Sequence, residues 1–425
     1  MNNKRNQRVN QITDNTLILG IDIAKHTHYG VITDDRGREL GKAFPFKQSL
    51  EGFNKLLKTI HYYMEKYQKT DILVSFEPTG HYWKNLAAYL MEHCIPFVTV
   101  NPMHVNRAKE FDDNSQTKND QKDARVIAKL VVTGNFHYPR HLEGVERELR
   151  EGASLKKRLK DDISATKNRI TGFLDMYFPE FNKVFKGYGK QACEVLKLTP
   201  FPADLKGQRP EDLAVMIQQH SNTTYPPKKK IERLCEIAES SIGLTEGEGM
   251  ARLHITTLVQ QLEFLQAQLQ DLEQTLETLV KEIPEFEYLN SIRGISEQTV
   301  IELLAYTGSL SEYDHPRQLI KLAGLSLREH SSGQKKGTKH LSKRGRKDLR
   351  SLLFKAILPL IHNNEAFNNL YQYYITRSEN PLRKKEAMVV LSSKLIKVMY
   401  GLSKNKTYFN AEQMESDMFV NPKVA

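Results

Sequence analysis

The stretch that decides the fold is LILGIDIAKHTHYGVITDD, Leu17 to Asp35. Its first part is a run of large aliphatic residues with the density of a buried strand. A second apolar run begins at His28. One acid, Asp22, sits in the middle of the first run. Burying an unpaired carboxylate is costly, so Asp22 either faces solvent at a strand end or is placed to receive a cation.

Working outward, Leu17–Ala24, His28–Asp34 and Glu39–Phe46 read as three short strands, with DDRG at Asp34–Gly37 as the turn between the second and third. Ser49–Tyr67 has helical spacing through Phe53, Leu56, Leu57, Ile60 and Tyr63. A strand (ILVSFEP), a helix (YWKNLAAYLMEHC) and a further strand (IPFVTVNP) follow. NDQKDARVIAKLVVTG, from Asn119, opens polar and ends in glycine, as a helix does. Three antiparallel strands followed by helix and strand in alternation is the order of a ribonuclease-H-like α/β domain over residues 1–140. A doubly wound nucleotide-binding fold competes, but no G-x-G-x-x-G follows the first strand.

Residues 141–285 read as a helical, coiled-coil region. One long charged helix covers Leu142–Phe181, and an inserted segment of about 183–240 is rich in turn formers (LTPFPADLKGQRP, SNTTYPPKKK). A second long helix carries Ile255, Leu258, Leu262, Leu265, Leu269, Leu272, Leu276 and Leu279 at alternating steps of three and four. That is the seam of a coiled coil, formed within the chain or with another copy. A mainly α-helical domain occupies 286–410. It opens on LNSIRGISEQTVIELLAYTG, two helical pieces around a glycine turn in the manner of a helix-hairpin-helix, whose turn amides can bind phosphate. Residues 411–425 are expected to be a disordered tail.

The chain of 425 residues carries Lys+Arg 62 against Asp+Glu 51, a formal charge of +11, which favours a polyanionic partner. Cys94, Cys193 and Cys235 lie far apart with no C-x-x-C pair, so neither a disulfide framework nor a structural zinc site is indicated. The N-terminus lacks the apolar core of a signal peptide, and no apolar run approaches the ~18 residues of a membrane span. A cytoplasmic protein with no membrane partner is expected.

Four acids stand out by position. Asp22 lies in the first strand, Glu77 ends the strand ILVSFEP just before a Pro-Thr-Gly turn, and Asp120 and Asp123 share one face near a helix start. In a ribonuclease-H-like fold these positions converge. A pair of Mg²⁺ ions about 3.5–4 Å apart would relieve the resulting repulsion, in a two-metal site clamping the attacking and leaving oxygens of a phosphodiester. The paired acids Asp34, Asp35, Asp112 and Asp113 lie in turn-like stretches and read as solvated.

The order GIDIAKH, FEPTGHYW, VNPMHV and KNDQKDARVIA resembles the RuvC-like domain of DEDD transposases, the recombinases of bridge-RNA-guided insertion sequences, to which the pilin-gene invertase is related. SIRGISEQTVIELLAYTG and LIKLAGLSLREHSSGQKKGTKHLSKRGRKDLRSLLF resemble the C-terminal transposase domain of the same family. RuvC-type resolvases share the acids but not this second half. The resemblance implies that Asp22, Glu77, Asp120 and Asp123 are metal-binding and catalytic. It also implies that a serine before a glycine, here Ser332 with Ser331 as fallback, is the nucleophile. A serine hydroxyl must be activated by a base or metal. A phosphoserine link would conserve bond energy for rejoining. The family also implies a structured guide RNA and a homo-oligomer, a dimer or tetramer. Lys335, Lys336, Lys339, Lys343, Arg344, Arg346, Lys347 and Arg350 crowd one short stretch, opposed only by Asp348, and suit contacts to DNA phosphates. Two rivals remain open. One is a metal-dependent Holliday-junction nuclease using activated water, and the other is a non-catalytic nucleic-acid-binding or assembly protein.

Overall fold

The structure, a computed structural model, describes residues 2–78, 80–113, 120–140, 142–329 and 339–414. The chain divides into two units, Met1–His141 and Leu142–Ala425.

In the first unit the elements run α1 (Asn2–Asn10), β1 (Thr16–Asp22), β2 (Thr27–Thr33), β3 (Phe44–Lys47), α2 (Leu50–Lys66), β4 (Asp71–Phe76), α3 (Trp83–Glu92), β5 (Phe97–Val100), α4 (Pro102–Asp113), α5 (Asp120–Val132) and β6 (Phe136–His137). The sheet order is β3-β2-β1-β4-β5-β6. β1 pairs antiparallel with β2 and parallel with β4, and β5 pairs parallel with β4. Central strands covered on both faces need near-continuous apolar sequence, which is why Leu17, Ile18, Leu19 and Ile21 are all fully buried. Their period-two alternation sorts them between two cores. Leu17, Leu19 and Ile21 join Ile72, Val74 and Phe76 against α2 and α3 residues such as Leu56, Ile60 and Leu86. Ile18 and Leu73 join Val126, Ile127 and Val131 of α5 on the opposite side. Ser49 caps α2 by accepting from the Gly52 N–H.

In the second unit two long helices, α6 (Gly144–Tyr177) and, after a group of short helices, a 33-residue helix at Glu248–Val280, pack along each other. The short helices between them are α7 (Phe181–Val184), α8 (Lys190–Leu198), α9 (Pro202–Leu205), α10 (Pro210–Ser221) and α11 (Lys228–Ala238), which makes the second long helix α12. Of the seam residues, Ile255, Leu258, Leu262 and Leu276 are buried, and Leu265, Leu269, Leu272 and Leu279 are partly buried against the chain's own cores. Gly152 permits the approach of α6 to α12, because a Cβ there would lie 2.5 Å from Leu276 Cδ2. Phe173, Phe178, Phe181, Leu196 and Ile217 build one core with the short helices.

A second core gathers α13 (Glu285–Asn290), α14 (Glu297–Thr307), α15 (Pro316–Leu322), α16 (Lys347–Asn363), α17 (Glu365–Thr376) and α18 (Lys384–Asn405). Between α15 and α16, the strands β7 (Leu327–Glu329) and β8 (Lys339–Leu341) pair antiparallel. The turn between α13 and α14 contains Gly294 at φ +98, and a Cβ there would lie 3.1 Å from Leu360 Cα. Of the tail expected from residue 411, Ala411–Met414 is described and helical, with Met414 buried. Residues 415–425 lie outside the described residues.

Candidate functional site

β1 and β4 deliver two of the four acids. Their parallel register pairs Gly20 with Ser75 and Ile21 with Phe76, so Asp22 and Glu77 leave adjacent strands at the same end. The alternation that turns Ile18 and Gly20 toward α5 also places Asp22 on that face, and Leu73, Ser75 and Glu77 follow the same rule on the neighbouring strand.

α5 delivers the other two. Asp120 opens the helix, half-buried, and Asp123 lies one turn further in and is buried. The helix can lie so low on the sheet because position 20 is glycine. A Cβ there would fall 2.2 Å from Ala124 O and 2.7 Å from Ala128 N. Arg125 clamps the same turn by a two-armed ion pair to Glu39.

The electrostatics show that the acids share one neighbourhood. The Asp22 carboxyl is pushed up to about 7, chiefly by burial, then by the negative charges of Asp123 and Asp120, with a further contribution from Glu77. The Lys109 ammonium works in the opposite direction on Asp22. Lys109, from α4, places its Nζ 2.6 Å from Asp123 Oδ2. Among the described residues, no three His, Cys, Asp or Glu side chains are gathered closely enough to hold a metal ion as they stand. Lys109 rests on the most buried of the four acids, where its ammonium offsets part of their mutual repulsion.

The donor set nevertheless fits a hard cation. It consists of carboxylate oxygens alone, the ligands that Mg²⁺ takes, and the strained ionisation of Asp22 is what a bound cation would relieve.

One sequence expectation is corrected. Asp34 does not lie in solvent: it is only 2% exposed, its Oδ1 accepts from the Arg36 and Arg38 N–H groups, and its Oδ2 accepts from Arg38 Nε at 2.6 Å. Burial works to raise its carboxyl, but these hydrogen bonds outweigh it and hold it below the usual carboxylate range. Asp34 is the clamp of the β2–β3 connection. Asp35 is partly exposed, and the side chains of Asp112 and Asp113 lie outside the described residues.

In the second unit, Ser331, Ser332, Lys335 and Lys336 lie outside the described residues, as does the side chain of Lys339. β7 and β8 bracket that segment in sequence. Lys343, Arg344 and Lys347 are exposed. Arg346 and Arg350 instead turn inward, where Arg346 Nη1 donates to Tyr306 O and Arg350 Nη1 donates to Ala323 O at 3.0 Å. From the start of α16 these two guanidiniums hold carbonyls at the ends of α14 and α15 and act first as structural donors.

Sequence reasoning missed Gly20, Lys109 and Arg125. A glycine inside a strand marks a bulge or a close backbone approach, so Gly20 carried a usable signal. Lys109 and Arg125 carried none, because their partners, Asp123 and Glu39, are set by tertiary packing.

Comparison with known proteins places the chain among transposases. A DEDD transposase family of the IS110 type matches residues 19–179, and the transposase family IS116/IS110/IS902 matches residues 286–372. The transposase for insertion sequence element IS1111A of Coxiella burnetii is 23% identical over 318 residues, covering 74% of this chain and 73% of its own length. The insertion element IS116 uncharacterized 44.8 kDa protein of Streptomyces clavuligerus is 23% identical, covering 92% and 95% respectively. The pilin gene-inverting protein of Moraxella lacunata is 22% identical, covering 92% and 97%. The first of the two family matches contains all four acids and the second contains the serine pair, in the order the motifs require, and the chain belongs to the IS110/IS116 family of transposases, enzymes of DNA recombination.

Proposed function

We propose that this transposase cuts and rejoins DNA strands through a covalent serine–DNA intermediate, with Mg²⁺ held by Asp22, Glu77, Asp120 and Asp123. The observation that carries the metal reading is the Asp22 carboxyl. Three other acids act on it at once, and together with burial they raise it to about 7. The sheet order, with an antiparallel β3-β2-β1 half continued by parallel β4 and β5, supports a ribonuclease-H-like, RuvC-like frame for those acids.

When bound, divalent metal would polarise the scissile phosphodiester and stabilise charge on its attacking and leaving oxygens, a two-metal arrangement being the natural one for four carboxylates. Within the chain, Asp22 acts from the end of β1 and Glu77 from just past the end of the adjacent β4. Asp120 and Asp123 act from the first turn of α5. Lys109 pairs with Asp123 and holds its carboxylate in place before loading. Ser332, or Ser331 in its stead, supplies the nucleophilic oxygen. Its Oγ–P bond forms as one bridging P–O bond of the DNA breaks, the serine proton being lost and the departing oxygen gaining one. The reverse attack by a DNA hydroxyl on the phosphoserine rejoins strands with no external energy source.

The family motifs in both halves support a structured guide RNA that selects donor and target DNA by base pairing. The exposed Lys343, Arg344 and Lys347 suit phosphate contacts to either nucleic acid. Assembly as a dimer or tetramer, with α6 and α12 forming a coiled coil, is consistent with the long apolar seam of α12 and with the exposed Met250, Leu253 and Phe264 beside it.

The test is incubation of the full chain with guide RNA, donor and target DNA and Mg²⁺, followed by denaturing electrophoresis. An adduct that survives denaturation and disappears in both Ser332→Ala and Asp22→Asn is expected. Cleavage without any adduct, retained in Ser332→Ala, would establish a nuclease that uses water instead.

A further inference from the structure

The segments that follow Asp22 and Glu77 are joined by a part-buried polar relay. His28 on β2 is fully buried, with its ring 5.0 Å from that of Phe46 and 6.4 Å from that of Phe53. Its Nδ1 accepts from the Ala24 N–H at 3.1 Å, so the ring proton sits on Nε2, which donates to Gln48 Oε1. That bond orients the Gln48 amide and leaves its Nε2 to donate to Tyr82 O at 2.9 Å. Gln48 N also donates to His26 O at 2.9 Å, closing the loop between β1 and β2 onto the same residue.

Each link has one direction. The backbone donor at Ala24 requires an acceptor, so His28 is neutral and a single tautomer. Burial pushes its imidazole below the usual histidine range, which keeps it so. Ala24 is two residues after Asp22, and Tyr82 is five residues after Glu77. The parallel β1–β4 ladder ends at Ile21 and Phe76, immediately before the two acids. Beyond that point strand pairing no longer sets their separation, and the relay spans the gap.

We infer that His28 and Gln48 are positioning residues that set the spacing of Asp22 and Glu77 by tying Ala24 to Tyr82. This rests on the reading of those acids as metal ligands. Partners of this kind, one step removed from a metal, typically change its affinity by about 10–100-fold when removed. They touch neither metal nor DNA.

The test uses the full chain and three variants: Gln48→Met, which removes both links, Gln48→Glu, which keeps the acceptor for His28 but turns the donor facing Tyr82 O into a second acceptor, and Asp22→Asn. Hydrogen exchange is measured without metal, and Mn²⁺ binding is measured by electron paramagnetic resonance. Both Gln48 variants are expected to raise exchange at Tyr82–Asn85. Gln48→Met alone should also raise it at Ile23–His28. Both should bind Mn²⁺ about tenfold more weakly. A packing role for Gln48 predicts a lower melting temperature with Mn²⁺ affinity within about twofold of wild type, and that result overturns the inference while Asp22→Asn still loses Mn²⁺. If wild type and Asp22→Asn bind Mn²⁺ alike, the acid reading fails, and the relay is then decided by whether Gln48→Met loosens both loops or only one.

Discussion

Asp22→Asn in metal-free protein offers a direct probe of the acid cluster, because its sign is the opposite of what is usual for a site mutation. The Asp22 carboxyl is raised from 3.8 to about 7, by burial first and by Asp123 and Asp120 next. Below pH 3.8 the group is protonated in both folded and unfolded chains and contributes no difference. Between 3.8 and about 7 the folded chain holds a proton that the unfolded chain has released, so wild-type stability falls as pH rises through that window. Above 7 the full penalty is present. At about 1.36 kcal/mol per pH unit its ceiling is about 4 kcal/mol. Asp22 is only partly buried, and solvent screening brings the expectation to about 2 kcal/mol. Asparagine carries no such penalty. At pH 8 in EDTA the variant should therefore melt roughly 6–8 °C above wild type in the transition of the first unit, with the difference vanishing near pH 3.5. Adding Mg²⁺ or Mn²⁺ should reverse the order, since only wild type gains binding energy. Differential scanning calorimetry across pH, with and without divalent cation, reads all of this. An Asp22→Asn protein that melts at or below wild type at pH 8 in EDTA would refute the reasoning.

Three further outcomes follow from the same geometry. Gly20→Ala should cost about 3 kcal/mol or more, because its Cβ meets backbone at Ala124 O and Ala128 N and α5 must lift from the sheet; urea denaturation measures the cost, and divalent binding should weaken with it. Lys109→Met should cost about 2 kcal/mol in EDTA by leaving buried Asp123 without its partner, and much less in saturating Mg²⁺, where the metal takes the lysine's electrostatic place; equal costs in both conditions would show that the pair is independent of the metal. Lys343→Ala and Lys347→Ala should each lower the salt slope of DNA binding by about one while leaving stability unchanged, whereas Arg350→Ala should chiefly destabilise, having lost its bond to Ala323 O. Fluorescence anisotropy across a salt series, paired with melting curves, separates the two classes.

The parts of the fold legible in the sequence were those that local pattern dictates. The unbroken aliphatic run of Leu17–Ile21 marks a strand covered on both faces. The spacing of Phe53, Leu56 and Ile60 marks α2, and the apolar seam of α12 marks a helix that must bury one side. An α/β first part and a helical remainder follow from those patterns, and so do the positions of the four acids along the chain. α4 was not legible, because Pro102–Asp113 has no apolar stripe, with Val105 its fully buried anchor. β6 is only two residues long, below any periodic signal. The partners of individual charges were also hidden. Asp34 looked like any turn acid until its three hydrogen bonds from Arg36 and Arg38 were seen, and Lys109 looked like any helix lysine until α4 met α5. Likewise the inward turn of Arg346 and Arg350 cannot be inferred from a run of basic residues, since it depends on carbonyls of Tyr306 and Ala323 made available by α14 and α15.

The central claim, strand exchange through a serine–DNA bond, is tested most directly by finding the atom to which the DNA is attached. Wild-type protein reacted with guide RNA, DNA and Mg²⁺ is digested with nuclease and protease and mapped by mass spectrometry. The account predicts one peptide, spanning HSSGQK, carrying a nucleotide phosphate on Ser332 or its neighbour Ser331, and no such peptide from Asp22→Asn. Efficient strand exchange with that peptide unmodified throughout the reaction would contradict it.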